Sequence, residues 1–313
     1  MADKIATREA YGNALAEFGA DSRIVVFDAD LSKSTKTDTF KKKYPERFFN
    51  MGIAEANMMV TAAGMASCGK IAFASTFAMF AAGRAFEQIR NSICYPKLNV
   101  KIAATHAGIT VGEDGASHQA IEDIAIMRAV PNMTIISPAD AVETRHAIKA
   151  AIDYNGPVYI RLGRLNVPVI FDESTYKYEL GKGITLAEGS DVTIIATGMM
   201  VHGALEAKDI LKQEGINARV IDIHTIKPID ADIIVKAAKE TGAIVTAEEH
   251  NIIGGLGSAV AEVVSENHPV PVLRVGVMDK FGKSGKPDVL MEMYGLTAAN
   301  IVAKTKEVLK LKR

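Results

Sequence analysis

Apolar runs of strand length alternate with helical patterns along almost the whole chain, and this alternation limits the possible folds more than any other feature. Nine such runs occur, at residues 23–27, 70–74, 100–104, 133–136, 158–160, 192–196, 218–222, 243–246 and 272–275. The helical patterns in the first half lie near residues 5–18, 54–67, 81–93, 119–128 and 140–153. Uninterrupted apolar runs are typical of parallel strands that are buried on both faces. The pattern therefore predicts an α/β chain with mostly parallel, doubly wound sheets.

A polar, weakly periodic stretch from Asp172 to Lys182 interrupts the alternation, which restarts at Val192. A chain of 313 residues is also too long for one ordinary hydrophobic core. We therefore expect two domains. Residues 1–185 would contain the first domain and the linker, and residues 186–313 would form a second, smaller α/β domain.

Composition and charge argue against several classes of function. The formal net charge is -1, which gives no reason to expect nucleic acid or an anionic membrane as a partner. No run approaches the roughly 18 apolar residues that a membrane span needs, and the N-terminus lacks the apolar segment of a secretory signal. The two cysteines, Cys68 and Cys94, have no metal or redox spacing, as is usual for reduced thiols. We expect a cytoplasmic protein.

The loop from Thr105 to Gln119 concentrates polar chemistry directly after an apolar run. Its titratable side chains are His106, Glu113, Asp114 and His118. Ligands of open α/β sheets bind in the loops that follow strand ends. A capped turn would explain Asp114 and also Ser117, which could cap the following helix, but it leaves both histidines unexplained. Because the spacing of the histidines fits no compact metal site, we expect no metal ligand set on this chain.

Glu55 begins an apolar helix that is rich in alanine and methionine. A glutamate in the first turn of a helix is favoured by the helix dipole, which is the simplest interpretation. The helix leaves little polar face, however, so the carboxyl could be buried, and burial raises a carboxyl pKa by up to ~3–5 units. Phe77 and Phe80, followed by Arg84, come after another strand. Their spacing suits either core packing or an aromatic face that stacks on a flat heterocycle.

Two further segments carry weaker signals. Arg161 and Arg164 follow a strand and are separated by three positions, so they could form a fork for a phosphate. The glycine turn at residues 254–257 leads into a helix, whose N-terminus could hold a phosphate. The dinucleotide-binding pattern is incomplete there, so we interpret this turn as structural.

Four of these segments, taken in order, resemble the C-terminal half of transketolase. They are G-I-A-E at residues 52–55, S-T-F-A-M-F at 75–80, T-H-A-G-I-T-V-G-E-D-G-A-S-H-Q at 105–119, and R-L-G-R-L-N at 161–166. The resemblance covers nearly the whole chain. It implies a pyrimidine-binding domain for thiamine diphosphate, followed by the C-terminal domain of the family. The implied reaction is reversible transfer of a two-carbon ketol unit from a ketose phosphate to an aldose phosphate through the ylid of the cofactor, as in the pentose phosphate pathway.

The resemblance also assigns roles to individual residues. Glu55 corresponds to the glutamate whose protonated carboxyl activates the aminopyrimidine, and Phe77 and Phe80 to the aromatic face under that ring. We expect Asp30 and Arg84 at the same cofactor site. The expected catalytic residues are Glu55, His106 and His118. The expected sugar-phosphate contacts are Arg8, Ser34, His106, Asp114, His118, Arg161 and Arg164.

One family feature is missing from the sequence. Family members hold magnesium and the diphosphate with a G-D-G motif and a later asparagine, and this sequence contains no G-D-G. The chain therefore resembles half of a split enzyme. We expect an N-terminal transketolase subunit to supply the Mg²⁺ ligands, and two copies of each chain to form a heterotetramer. Ala54 and Ala107 also depart from common family residues, which affects substrate detail rather than cofactor activation.

Other functions stay open at this point. A 1-deoxyxylulose-5-phosphate synthase shares the G-I-A-E and V-G-E-D-G motifs but usually has a different pair in place of Thr105 and His106. A β-subunit of a 2-oxoacid dehydrogenase has this two-domain length but lacks the E-D-G-x-x-H-Q loop. A non-catalytic subunit that binds sugar phosphate would not need Glu55, because simple binding requires no acid for cofactor activation.

Overall fold

The computed structural model describes residues 3–312, which form helices packed on three sheets. The strands are β1 (Lys4–Ala6), β2 (Ile24–Asp28), β3 (Phe48–Asn50), β4 (Ile71–Phe77), β5 (Val100–Thr105), β6 (Thr134–Ile136), β7 (Val158–Arg161), β8 (Asn166–Pro168), β9 (Ile184–Ala187), β10 (Val192–Ala196), β11 (Ala218–Asp222), β12 (Thr225–Lys227), β13 (Ile244–Asn251) and β14 (Val272–Val277). All nine strands predicted from apolar runs are confirmed, with small differences at their ends.

The α-helices are α1 (Thr7–Phe18), α2 (Ser32–Thr35), α3 (Asp38–Lys43), α4 (Glu55–Ser67), α5 (Phe86–Gln88), α6 (Asp123–Arg128), α7 (Ala141–Asp153), α8 (Met200–Gln213), α9 (Ala231–Thr241), α10 (Leu256–Asn267), α11 (Pro287–Met293) and α12 (Ala298–Leu309). Two 3-10 helices span Pro45–Arg47 and Ile109–Asp114, and two π-helices span Phe80–Arg84 and Ile89–Cys94. The helix predicted at 81–93 is therefore helical but wound largely with the wider π turn.

The larger sheet has seven strands in the order β12-β6-β7-β5-β4-β2-β3, and all neighbours are parallel except the β12–β6 pair. Its strands alternate between two apolar cores. In β2, Val25 and Phe27 enter one core while Ile24 and Val26 enter the other. This burial of both faces explains why its central strands appear as uninterrupted apolar runs in the sequence.

The second sheet has five strands in the order β14-β13-β10-β11-β9, with β9 antiparallel at one edge. A two-stranded ribbon pairs β1 with β8. The predicted α/β class with two mostly parallel sheets is confirmed. The chain also crosses between the two sheets, because β12 lies beyond the stretch at 172–182 and yet pairs with β6 of the larger sheet.

The helix predicted at 119–128 was placed four residues too early, since α6 begins at Asp123. Gln119 belongs to the preceding loop, where its amide donates hydrogen bonds to the carbonyls of Ile109 (3.0 Å) and Lys283 (2.9 Å). Ser117, which could have capped this helix if the loop were only a capped turn, does not do so. The N-cap residue is Glu122, and the Ser117 hydroxyl instead lies 3.0 Å from Nδ1 of His118.

Candidate functional site

Nearly all of the predicted site residues lie along one edge of the larger sheet, where its parallel strands end. Two of these residues, Phe77 and Arg161, are the last residues of β4 and β7. The others lie in the segments that follow β2 (Asp30 and Ser34), β4 (Phe80 and Arg84), β5 (His106, Asp114 and His118) and β7 (Arg164). Arg8 lies in the first turn of α1. Carboxyl ends of adjacent parallel strands face the same side, so the topology brings side chains together that are far apart in the sequence.

Glu55 is the first residue of α4 and is only 3% exposed. Its carboxyl accepts hydrogen bonds from Nη1 of Arg84 at 3.1 Å and 3.3 Å. The predicted burial is confirmed, but the contacts differ from the prediction. An arginine is always protonated, so Glu55 has a cationic partner in this structure, which the sequence did not lead us to expect. The Arg84 side chain is itself 52% exposed.

Four planar groups form a continuous row beside Glu55, and we call them the planar wall: His106, Phe77, Phe80 and Arg84. The rings of His106 and Phe77 stack with centroids 3.9 Å apart, and Phe77 and Phe80 stack at 5.8 Å with 17° between their planes. The guanidinium of Arg84 lies 4.0 Å from the centroid of Phe80. The ring of His118 meets the Phe80 ring edge-on, with the two ring centroids 5.2 Å apart.

The π-helix at Phe80–Arg84 explains how the wall is built. A π-helix bonds residue i to i+5, so positions four and five apart share a face. Arg84 is thereby placed over Phe80. Single π turns occur frequently at functional sites.

His106 is held in one orientation and one tautomer. Its backbone has a φ of 56°, and its Nε2 lies 3.3 Å from Nη1 of Arg8. An arginine can only donate, so Nε2 must be the acceptor and the proton must sit on Nδ1. The Nδ1–H then donates to Oγ1 of Thr105 (2.9 Å), whose hydroxyl donates in turn to the Thr76 carbonyl (3.5 Å). Burial, together with Arg8, Arg164 and His118, lowers the pKa of His106 to about 3, so the ring is neutral.

Two arginines give this end of the site a positive charge. Arg8 donates to the Ser34 carbonyl at 2.8 Å, and Arg164 donates to the Val111 carbonyl. Burial lowers the pKa of Arg8, and the charge of Arg164 lowers it further. Arg164 also lies 3.5 Å from Glu113. Two cations beside a neutral histidine favour an anionic ligand.

The loop after β2 is fixed by a buried carboxylate that the sequence did not reveal. Asp28 accepts hydrogen bonds from the Leu31 amide (2.6 Å) and from the hydroxyls of Thr35 (2.7 Å) and Thr37 (2.9 Å). Asp30 is exposed and accepts from Nδ2 of Asn50 at 2.7 Å. Ser34 takes part through its backbone carbonyl, which binds Arg8 as described above.

The structure does not bring Arg161 into contact with the other predicted residues. It is 7% exposed, pairs with the buried Asp123 at 2.9 Å and donates to the carbonyl of Glu249 at 2.9 Å. It therefore joins the larger sheet to β13 instead of forming a phosphate fork with Arg164. Asp114 is exposed at the end of its 3-10 helix.

The loop that carries the histidines is held from the far side by the second half of the chain. The Thr110 amide donates to Oε1 of Glu249 at 2.8 Å, and Gln119 reaches the Lys283 carbonyl. Thr105, Gln119, Asp123 and Glu249 were not singled out individually from the sequence. Thr105 and Gln119 lie at the ends of the predicted loop, whereas nothing local in the sequence reveals Asp123 or Glu249.

The glycine turn at residues 254–257 is structural, as predicted. The carboxylate of Glu248 accepts hydrogen bonds from the amides of Leu256 (2.7 Å) and Gly257 (2.8 Å) and so already occupies the N-terminus of α10. Among residues 3–312, no group of three or more His, Cys, Asp or Glu side chains could hold a metal ion. Over the same residues, no helix is both long and apolar enough to cross a membrane.

Comparison with known proteins gives two family matches that together cover most of the chain. Residues 3–169 match the family model "Transketolase, pyrimidine binding domain", and residues 181–301 match "Transketolase, C-terminal domain". The solved structure of a split gene transketolase, described as an inactive beta4 tetramer, superposes with a TM-score of 0.92 at 60% identity, over 99% of this chain and 100% of that one. A Pichia stipitis transketolase has a TM-score of 0.83 at 24% identity, which supports the fold alone.

Relatives of known sequence fall into two length classes. A protein of Methanocaldococcus jannaschii assigned as a transketolase C-terminal section is 54% identical, over 97% of this chain and 96% of the relative. A 6-deoxy-6-sulfo-D-fructose transketolase subunit from Clostridium is 45% identical, over 97% and 95%. The mouse transketolase-like protein 2 is 43% identical, but the match covers only 49% of its length. The family models, these identities and the superposition with the split gene transketolase show that the chain belongs to the transketolase family.

Proposed function

We propose that this chain is the C-terminal subunit of a two-chain transketolase, which transfers a two-carbon ketol unit between sugar phosphates with the help of thiamine diphosphate. The observation that carries the proposal is the buried carboxyl of Glu55 beside the stacked rings of Phe77 and Phe80. The division into residues 1–185 and 186–313 belongs to the same proposal.

The residues present fit the pyrimidine end of the cofactor. A flat group with N–H donors, the guanidinium of Arg84, already lies between the Phe80 ring and the Glu55 carboxyl. A flat aminopyrimidine needs the same two partners, an aromatic face and a carboxyl group. When bound, thiamine diphosphate would supply the carbanion chemistry that ketol transfer requires.

The chain's own side chains would hold protons and orient the reactants. Glu55 would hold a proton at its buried carboxyl, directed at the pyrimidine ring. His106 is neutral, and its Nε2, which now accepts from Arg8, would accept from a sugar hydroxyl once that contact is exchanged. His118, which contacts the planar wall at Phe80, would bind a second hydroxyl. Asp114 is the proposed acceptor for a further hydroxyl. Phe77 and Phe80 would exclude water from one face of the ring.

The positive end of the site would bind the substrate phosphate. Arg8 and Arg164 both lie close enough to His106 to lower its pKa, so the three side chains share one region. A phosphate bound there would receive charge-assisted hydrogen bonds from two guanidinium groups. Arg164 now donates to a backbone carbonyl and would have to release it to bind the phosphate.

A second chain would provide the diphosphate and Mg²⁺ site. The described residues contain no metal-ligand cluster, and several relatives of this length are named as sections or subunits. We propose an N-terminal transketolase subunit as the partner, with two copies of each chain in a heterotetramer. The self-association of a similar chain in the beta4 tetramer supports contact between copies.

Co-expression with an N-terminal transketolase subunit tests the proposal. The purified complex, supplied with thiamine diphosphate, Mg²⁺, xylulose 5-phosphate and an aldose phosphate, should transfer the ketol unit, whereas this chain alone should not. Relatives are named for 6-deoxy-6-sulfo-D-fructose and for apulose 4-phosphate, so the donor panel should include both. Transfer by this chain alone would refute the two-chain proposal, and a complex inactive with every donor would refute the transketolase proposal.

A further inference from the structure

We propose that Arg84 occupies the pyrimidine subsite in the free chain and must leave it before a cofactor can bind. This inference rests on the proposed function, because it concerns the same subsite. It adds that the free chain blocks its own cofactor site with one side chain. Assembly or cofactor binding would then have to exchange one flat group for another.

The contacts of Arg84 match those that an aminopyrimidine would make. Its guanidinium is flat, lies 4.0 Å from the Phe80 centroid and donates from Nη1 to both oxygens of Glu55. A pyrimidine that stacked on Phe80 and bonded to Glu55 would need the same space. The two groups therefore cannot occupy the subsite together.

Only one member of the pair can move easily. Glu55 is 3% exposed at the rigid start of α4, whereas the Arg84 side chain is 52% exposed at the end of the π-helix. Arginine also has a long, flexible stem, so its guanidinium can swing into solvent without a change in the backbone. The geometry thus makes Arg84 the movable group and Glu55 the fixed one.

The exchange also changes the charge around Glu55. While Arg84 is in place, its cation lies beside the buried carboxyl and donates to both of its oxygens. Once Arg84 leaves, the carboxyl has lost this countercharge and is open to a hydrogen bond with the pyrimidine.

Thiamine is a suitable probe because it carries the pyrimidine but no diphosphate, so binding does not depend on the partner's metal site. Affinity of the free chain for thiamine can be measured by calorimetry or by ligand-observed NMR. The Arg84 side chain is half exposed, so its ion pair and its cation–π contact are each modest, and Arg84→Ala should tighten thiamine binding by about 3- to 30-fold. Arg84→Lys keeps the positive charge but loses the flat group that stacks on Phe80, so it should give a smaller gain in thiamine affinity.

Two controls separate this effect from general changes. Arg90→Ala removes an exposed arginine of the second π-helix, Ile89–Cys94, whose guanidinium bonds to Asn91 instead, and should leave thiamine affinity unchanged. In a Glu55→Gln background, Arg84→Ala should increase thiamine affinity less than it does in the wild type, because a neutral amide holds the guanidinium less firmly than a carboxylate does. Arg84→Gln serves as a second variant if Arg84→Ala does not fold.

Equal thiamine affinities for the wild type and both neutral Arg84 variants would overturn this inference, including the case in which none of them binds. That result would leave the proposed function standing if the two-chain complex still transfers ketol units. A gain as large in Arg90→Ala as in Arg84→Ala would also overturn it, since the effect would then be one of overall charge.

Discussion

Glu143 should make the stability of this chain fall as the pH rises through the neutral range. It is fully buried in α7, where it accepts hydrogen bonds from the Ala139 amide (2.6 Å) and the Tyr176 hydroxyl. Burial raises the pKa of Glu143 to about 7. The charge of Asp140 also raises this pKa, whereas the hydrogen bonds from Tyr176 and Ala139 lower it. Burial, and Glu143 itself, likewise raise the pKa of Asp222 well above its usual value. Two carboxyl groups so placed titrate as a pair.

The size of the effect follows from the difference between the folded and unfolded pKa values. The folded chain keeps a proton on Glu143 up to about pH 7, whereas the unfolded chain loses it near 4.5. The stabilisation from this proton is complete below pH 4.5 and is lost as the pH rises to 7. At 1.36 kcal/mol for each pKa unit, the group accounts for on the order of 3 kcal/mol of the free energy of unfolding.

Urea unfolding of the wild type and of Glu143→Gln, measured from pH 5 to pH 8, tests this reasoning. The amide of the variant cannot ionise, so its free energy of unfolding should rise relative to that of the wild type by about 3 kcal/mol across the range. Glu266→Gln, which changes an exposed carboxylate, should show a constant offset. A constant offset for Glu143→Gln as well would show that Glu143 is ionised in the folded chain throughout.

Three more predictions concern the site itself. In the two-chain complex, Glu55→Gln should lower kcat by on the order of 10²–10⁴, and a wild-type rate would remove Glu55 from catalysis. Arg164→Ala should raise the KM of a phosphorylated ketose by about 10- to 150-fold, whereas equal losses for an unphosphorylated substrate would contradict the phosphate role. By ¹⁵N NMR of the free chain, His106 should stay neutral from pH 5 to 8 with its proton on Nδ1. Thr105→Val, which leaves that proton without an acceptor, should lower stability by about 1–3 kcal/mol, and an Nε2–H ring in the wild type would refute the assignment.

The central strands could be predicted because burial on both faces leaves an uninterrupted apolar run. The five short strands β1, β3, β8, β9 and β12 were not predicted, since three or four residues with mixed exposure give no such run. The pairing of β12 with β6 could not be inferred either. It joins residues about ninety positions apart, and register of that kind depends on how the two halves of the chain pack.

The site could be located from the sequence, but the contacts of individual residues could not. Family motifs correctly placed Glu55, the aromatic pair and both histidines at one sheet edge. They gave no means of separating Arg161 from Arg164. Arg161 is the last residue of β7 and pairs with the buried Asp123, whereas Arg164 lies in the following loop and remains partly exposed. Which arginine stays open to solvent depends on a carboxylate about forty positions away.

Glu55 shows most clearly why burial alone does not reveal the partner of a buried group. Its burial was predicted correctly from the apolar helix that follows it. Nothing in the sequence indicated that Arg84 would be its partner, because that contact depends on the helical turn at Phe80–Arg84 and on how this turn packs against the start of α4. The guanidinium lies over Phe80 and donates to both carboxyl oxygens, so the aromatic face and the carboxyl are joined by one side chain from a different segment. Contacts of this kind follow from the packing of distant segments and not from the local pattern that predicted the burial.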